Sequence, residues 1–483
     1  MPSMSPSEPY QSDLERLRRA RARAAAAEPP RPGQSLGLNP TLVVEEVAWR
    51  GLPERLAAQD APEPQAASQP VYVGAWRAPG GEVRLAEMEQ PRLLALKVAA
   101  EGLDPLETAR QAGSPPTVVL DALDLAAKEG LLLRPPSLLA RAAPQAGPAV
   151  SDEFLRADWF TLQWHITQAC DLNCRHCYDR SDRPPVDLAR GLQVLDQLAA
   201  FCAARRVRGQ VSFSGGNPLL HPDFLTLYGA AVERGLGVAI LGNPCGEAKL
   251  AEILDIAPPA FYQVSLEGLE PHNDYIRGRG HFLRTSAFLD LLREAGVRSM
   301  VMLTLSRDNL DQVIPLARLL RGKVDQFNFN RLAPVGSGAA LAMADPDDFR
   351  RFLADYAAEA AENPVLGLKD NLLNLHYEQE GLPLFGGCTG FGCGAAFNFL
   401  ALLPDGQVHA CRKLPSPVGD LYQQGLGEIY DGEAARRYRR APEACAPCRL
   451  RAVCGGCLAV AHGAGRDVST QRDPFCWLSG PLA

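Results

Sequence analysis

Apolar positions change their period several times along this chain, and each change marks an element. From Val71 to Arg77 and from Glu82 to Met88 the residues read as short strands, and Pro79-Gly80-Gly81 between them is turn chemistry, so the pattern predicts a hairpin. Helical spacing follows. Pro91 to Glu101, Pro105 to Gln111 and Thr117 to Lys128 read as three short helices, with Gly113-Ser114-Pro115-Pro116 separating the last two and Gly130 ending the third. Ala142 to Ala149, carrying Pro144, Gly147 and Pro148, reads as a linker. Between residues 160 and 335 short apolar runs alternate with helices, the pattern of βα units that build a parallel sheet. Six strands are predicted: 160–166, 211–213, 238–241, 261–266, 300–305 and 326–330.

Residues 1 to about 35 hold Arg16-Leu17-Arg18-Arg19, an alanine run from Ala24 to Ala27 and the prolines Pro29, Pro30 and Pro32, with too little bulky apolar content for a core, so a disordered or loosely helical arm is expected there. Residues 36–66 give no assignable pattern, and the whole of 1–66 is expected to be a disordered or irregular N-terminal arm. The other expected divisions are 67–140, a small recognition domain; 155–340, the βα domain; 341–385, a bridging helical segment; and 386–483, a cysteine-rich domain. A length of 483 residues with 46% hydrophobic content allows several cores. The net charge of -7 gives no global attraction to nucleic acid or to an anionic membrane. No apolar stretch approaches the ~20 residues needed to span a bilayer, and no secretory signal is recognisable. A cytoplasmic location is expected, where 13 cysteines are better read as metal ligands than as disulfides.

The chemistry is concentrated in those cysteines. Cys170-Asp171-Leu172-Asn173-Cys174-Arg175-His176-Cys177 offers three thiolates from one loop, directly after the first βα strand. Three ligands leave one corner of an iron–sulfur cube open, whereas clusters kept for electron transfer carry four. Zinc is the alternative, but zinc motifs usually pair one C-x2-C with another. The C-x3-C-x2-C spacing is that of the radical S-adenosylmethionine (SAM) enzymes, and the chain resembles that superfamily over about residues 70–480.

The resemblance implies a partial (β/α)6 barrel with its chemistry at the C-terminal ends of the strands. It also implies a site. Cys170, Cys174 and Cys177 would ligate the SAM-binding 4Fe–4S cluster and so carry catalysis. His176 stands where the family usually has an aromatic that contacts SAM. Gly215-Gly216-Asn217-Pro218 resembles the family's Gly-Gly-Glu-Pro element, whose glycines approach the methionine part of SAM, with Asn217 in place of the acid. Asn243 ends the third strand. Ser265 and Glu267 in Ser265-Leu266-Glu267-Gly268 resemble a serine and an acid that approach SAM, and Arg277 matches an arginine that pairs with the SAM carboxylate.

After the barrel come Cys388, Cys393, Cys411, Cys445, Cys448, Cys454, Cys457 and Cys476, eight thiolates that make two sets of four. Their layout is similar to the SPASM extension, with a last spacing of x2 where x3 is common. By that resemblance the first auxiliary cluster takes Cys388, Cys393, Cys411 and Cys457, and the second Cys445, Cys448, Cys454 and Cys476. Zinc ribbons are again the alternative. In similar sulfatase-maturing enzymes an acid follows the third cysteine and takes the substrate proton. Here Arg412-Lys413 follows Cys411, which argues against formylglycine formation. Cys202 and Cys245 read most simply as small buried hydrophobes.

The hairpin and three helices resemble the winged-helix-like recognition domains of peptide-modifying enzymes, in which a leader adds a strand to the hairpin edge. A DNA-reading winged helix and a purely structural domain are the alternatives; Thr117 to Asp124 carries acid and almost no base, a poor match to phosphates. The fold class is therefore α/β: a partial radical SAM barrel, an N-terminal winged-helix-like peptide-recognition domain and a C-terminal SPASM domain. The implied activity is reductive cleavage of SAM to a 5'-deoxyadenosyl radical that abstracts hydrogen from a ribosomally made precursor peptide held by its leader. It needs three 4Fe–4S clusters, SAM and an electron donor such as flavodoxin or ferredoxin, with no nucleic acid or membrane partner. Leu162 to Cys170, Gly216-Asn217-Pro218 and Cys411 to Pro415 resemble the subgroup associated with cysteine- or selenocysteine-containing precursors, the selenobiotic or thio(seleno)oxazole maturases. Other readings are a radical SAM enzyme acting on a small molecule or cofactor precursor, and a DNA-binding iron–sulfur sensor.

Overall fold

The computed structural model describes residues 9–31, 35–58, 60–141 and 150–478. The chain falls into two compact units, Met1–Pro136 and Ser137–Ala483. The first contains β1 (Gly37–Leu38), β2 (Val43–Arg50), β3 (Gln65–Arg77), β4 (Val83–Glu87) and β5 (Leu132–Leu133). β2, β3 and β4 form an antiparallel sheet in that order, and β1 pairs with β5. The predicted hairpin is present, its last pair Arg77 opposite Val83. Its turn needs glycine at Gly81, where φ is +89°. The three predicted helices are Gln90–Glu101, Pro105–Gln111 and Pro116–Lys128. They bury Val98, Ala109, Val119 and Ala126 with Trp76 and Met88 of the hairpin. Arg92 clamps Glu129 through two bonds of 2.8 and 2.7 Å, and Trp76 Nε1 donates to Glu129 O at 2.8 Å, so the hairpin is tied to the end of the third helix.

The expected irregular arm of residues 1–66 is, over its described residues, part of this domain. Gln11–Ala26 is a helix. Leu14 and Leu17 pack with Val47, Val71 and Val73, while Ala20 and Ala24 sit on Ala75. Alanine has high helix propensity, and its small side chain lets the helix lie close to the strand; bulky apolar content was the wrong criterion for this segment. β2 lies in the stretch that had no assignable pattern. Residues 1–8 fall outside the described residues.

In the second unit β6 (Trp159–Thr167), β7 (Arg208–Gly215), β8 (Gly237–Leu241), β9 (Phe261–Ser265), β10 (Ser299–Leu305) and β11 (Gln326–Arg331) lie side by side in chain order, all parallel. These are the six predicted strands, most of them slightly longer than read. Helices Leu188–Arg205, Phe224–Glu233, Glu247–Ile256, His281–Glu294 and Val313–Leu320 join them, with Glu270–Arg277 inserted after β9. The sheet does not end at β6. β12 (Phe399–Leu402) pairs with β6 in parallel, and β13 (Gln407–His409) and β14 (Pro417–Asp420) continue it antiparallel. One core consequently runs from Phe160 and Trp164 of the barrel to Leu400 and Val408 of the C-terminal strands. Helices Pro346–Glu362 and Leu373–Gln379 occupy the expected bridging segment. Residues 137–141 belong to this unit, since Leu138 N donates to Arg205 O at 2.9 Å and Leu139 is buried in its core. The division therefore falls earlier than the expected end at residue 140, and the expected linker at 142–149 lies outside the described residues.

Candidate active site

The three-cysteine loop leaves the C-terminal end of β6 and is held on several sides. Arg175 N donates to Ile276 O at 2.9 Å, the Arg175 guanidinium lies 4.3 Å from the centre of the Tyr275 ring, and Ser337 N donates to Cys177 O at 2.8 Å. Burial raises the pKa of the Cys170 and Cys174 thiols, and the other thiols of the loop push the same way, so the three sulfurs share one space. Thiols crowded together on one loop gain most from a cation that takes them as thiolates. That fits an iron–sulfur cluster.

Gly215 and Gly216 are required by the chain itself. Gly216 N donates to Thr167 O and Asn217 N to Ala169 O, at 2.9 and 2.7 Å, so the turn runs along the base of the cysteine loop. A Cβ at Gly215 would lie 2.0 Å from Thr167 O and one at Gly216 2.2 Å from Ala169 O. The glycines thus serve close packing on the loop, a reason that the resemblance did not supply. Pro218 follows, buried, and opens a short turn of helix. Asn217 and Asn243 both donate to Asp171 Oδ1, at 2.9 and 2.6 Å, and Asn243 Nδ2 also lies 3.7 Å from Cys170 Sγ. Asp171, which sequence reasoning passed over, therefore gathers two of the expected SAM-contact residues beside the first cysteine.

Glu267 is a second organiser. Its Oε1 accepts from Arg277 Nε and Nη2 at 2.8 and 2.5 Å and lies 2.9 Å from His176 Nε2, while Oε2 accepts from Thr304 N at 2.7 Å. Burial would raise this carboxyl, but His176 and Arg277 overrule it and hold it well below the usual carboxylate range. Arg277 Nη1 points to Cys174 Sγ at 3.7 Å. Glu267 and Arg277 are thus engaged with each other, and Arg277 turns its remaining nitrogen to the cysteine loop. Ser265 ends β9 opposite Met302 of β10.

Inside the barrel is a cavity of about 430 Å³ lined by residues of all six strands, among them Gln163, Ser212, Gln263, Met302 and Asn330. Cys388, Cys393, Cys411 and Cys457 form part of its wall together with Arg412 and Lys413. Burial lowers Lys413 to about 8, and Arg412 adds to the effect. Cys445, Cys448, Cys454 and Cys476 line a separate cavity. The structure thus gathers the eight C-terminal cysteines in two fours. Among the described residues no three His, Cys, Asp or Glu side chains close on a single metal-ion position. All thirteen cysteines are free of disulfides; Cys202 is buried and Cys245 half-buried. A further group was not foreseen: Tyr178 Oη lies 3.0 Å from His165 Nε2 and 3.3 Å from Arg412 Nη1, joining the cysteine loop to the segment after Cys411. No described helix is long and apolar enough to cross a membrane.

Residues 164–320 match the Radical SAM superfamily and residues 393–455 the SPASM iron–sulfur cluster-binding domain. An AdoMet-dependent heme synthase of Methanosarcina barkeri is 27% identical over 65% of this chain and 95% of its own. The mycofactocin maturase MftC of Mycolicibacterium smegmatis is 28% identical over 65% of this chain and 82% of its own. Among solved structures, Streptococcus suis SuiB bound to precursor peptide SuiA has a similar fold, with a TM-score of 0.55 at 16% identity over 84% of this chain and 96% of that one. The six-stranded parallel barrel and the cysteine-rich segment beyond it are accordingly those of a radical SAM enzyme with a SPASM domain, which uses SAM and 4Fe–4S clusters.

Proposed function

We propose that this enzyme modifies a ribosomally made precursor peptide, which it holds by its leader. The observation that carries the reading is the separate first unit, with a three-stranded antiparallel sheet in which, among the described residues, β4 pairs only with β3. Along that edge runs a groove of about 330 Å³ lined by Trp76, Val83, Leu85, Arg84 and Arg92. An extended peptide can add a strand there, its backbone supplying affinity and its side chains entering the groove. MftC and SuiB, named above as a maturase and as a partner of a precursor peptide, support the same reading.

In this reading Cys170, Cys174 and Cys177 would hold the cluster that supplies the electron for cleaving SAM to a 5'-deoxyadenosyl radical, the hard chemistry of the cofactor. The chain's own residues position. Asp171 fixes the amides of Asn217 and Asn243 at the mouth, and Glu267 locks Arg277 and His176 beside the loop. Cys388, Cys393, Cys411 and Cys457, and Cys445, Cys448, Cys454 and Cys476, would hold the two auxiliary clusters. An electron carrier such as flavodoxin or ferredoxin supplies reducing equivalents, in the cytoplasm.

A second reading, a small-molecule or cofactor-precursor substrate, is favoured by the similarity to the heme synthase. Anaerobic reconstitution with SAM, reductant and candidate precursors separates the two. Formation of 5'-deoxyadenosine coupled to a mass change in a peptide supports the proposal. Cleavage of SAM that no peptide stimulates, but that a small molecule couples to turnover, overturns it.

A further inference from the structure

On the face of the C-terminal segment is a cavity of about 290 Å³ whose charged lining is Arg141, Arg436, Arg439, Arg440 and Arg451. Among the described residues no acid lines it, although the chain as a whole carries a net charge of -7. Part of this basicity has an ordinary cause. Arg436 and Arg439 lie in the last turn of the helix Glu433–Arg439, where cations complement the helix dipole. Arg141 and Arg451, however, reach the same cavity from two other parts of the chain.

Each arginine has its own degree of engagement. Arg141 donates to Phe391 O and Cys393 O at 2.7 and 2.5 Å and lies 4.2 Å from the centre of the Phe397 ring. Arg439 donates to Ala396 O and Tyr430 O at 3.0 and 2.7 Å. Arg440 meets Glu433 at 2.7 Å, a pair in which both side chains are about two-thirds exposed, and such pairs contribute little. Arg436 is exposed and Arg451 half-buried, and neither has an ion pair among the described residues. The rim is open and basic, because Arg437 beside it is exposed as well.

The floor gives this positive face a purpose. Cys393 lines the arginine cavity on one side and the central barrel cavity on the other. We propose that the face formed by Arg436, Arg440, Arg451 and Arg141 docks an acidic one-electron carrier protein, seating its redox group above Cys393. The proposal rests on the reading of the Cys393 set as cluster ligands. Rim arginines steer and orient a partner of opposite charge, while the wall arginines Arg141 and Arg439, held by backbone carbonyls, add fixed positive charge behind them. The transfer moves one electron; the carrier is oxidised, the acceptor reduced, and no bond is made or broken.

The test is binding of an oxidised, acidic flavodoxin to the cluster-loaded enzyme, followed by biolayer interferometry across a salt series. Arg436→Glu with Arg440→Glu weakens binding by about tenfold or more at low ionic strength. The difference from wild type disappears near 1 M salt, where the screening length is about 3 Å. Cleavage of SAM driven by reduced methyl viologen, a cation that needs no such face, is the same in variant and wild type. Equal flavodoxin affinity and equal salt dependence in the two proteins overturn the proposal. So does pyrophosphate that occupies the cavity, is lost in Arg451→Gln, and leaves flavodoxin binding untouched; that result marks a small-anion site instead. Failure of the wild type to cleave SAM with viologen strikes the proposed function and leaves the docking measurement readable.

Discussion

Gly215 and Gly216 show how a single residue can set the mouth of this barrel. With φ of +133° at Gly215 and Thr167 O 2.0 Å from where a Cβ would stand, an alanine there meets both a backbone penalty and a collision with backbone that cannot step aside. Gly215→Ala is expected to shift the base of the cysteine loop. Its circular dichroism stays near wild type, while 5'-deoxyadenosine formation falls by at least about a hundredfold, the scale on which small misplacements of reacting groups cost rate. His281 illustrates a different single-residue effect. Its ring is buried, accepting from Asn273 Nδ2 at 3.1 Å, and burial with nearby Arg277 and Arg284 lowers it to about 4. Above pH 6.5 the ring is neutral in both folded and unfolded chains. Between pH 6.5 and about 4 the unfolded chain takes up a proton that the folded chain refuses, so stability is lost as pH falls, by up to about 1.4 kcal/mol per pH unit. Below about 4 this loss levels off. Urea unfolding of His281→Gln against pH should show a slope smaller by up to one proton in that window. The cysteines and glycines were legible in the sequence because a ligand loop and its turn are contiguous motifs. Asp171 and the Glu267 clamp were less so, since Asn243 lies 72 residues from Asp171 and His176 91 residues from Glu267, and only folding brings them together.

At the scale of elements, the six barrel strands could be read because parallel strands buried on both faces are short apolar runs bounded by turns. β12 to β14 could not, because a strand of three or four residues among cysteines carries no period to detect. Neither could the buried ion pairs that join the barrel to the C-terminal segment. Arg331 at the end of β11 donates to Asp370 at 2.7 Å and, with two bonds of 2.8 Å, to Asp473; all three are buried. Asp473 also accepts from Cys457 N at 2.7 Å, so the last strand of the barrel is linked to a ligand of the first proposed auxiliary set. Removing one member leaves a buried charge short of a partner, which costs about 3–5 kcal/mol. Asp473→Ala is expected to lower the melting temperature accordingly and, by releasing the Cys457 backbone, to lose about four of the roughly twelve irons that three cubane clusters hold. Iron analysis after anaerobic reconstitution checks this, and full iron at an unchanged melting temperature would contradict it.

For the whole molecule the decisive feature is that its two units have separate cores. Trp76, Met88 and the three short helices close one part of the first unit, and the Gln11–Ala26 helix closes the other face of its sheet, while the second unit buries a single core from Leu139 to Phe475. Every residue proposed to hold a cluster or SAM lies in the second unit, and the groove proposed for the leader lies in the first. A chain beginning at Ser137 should therefore fold, take up iron as the full chain does and cleave SAM when reduced, because none of its site residues has lost a described partner. It should fail to bind a precursor that the full chain captures, since no peptide can add a strand to β4 once β4 is gone. Peptide modification should drop with binding and return in part at high peptide concentration, the response of an enzyme deprived of a tether but not of its chemistry. Fluorescence anisotropy of a labelled leader, measured beside 5'-deoxyadenosine formation, distinguishes the outcomes. Equal leader affinity in full and shortened chains would move peptide recognition into the barrel and leave the first unit without the role proposed for it.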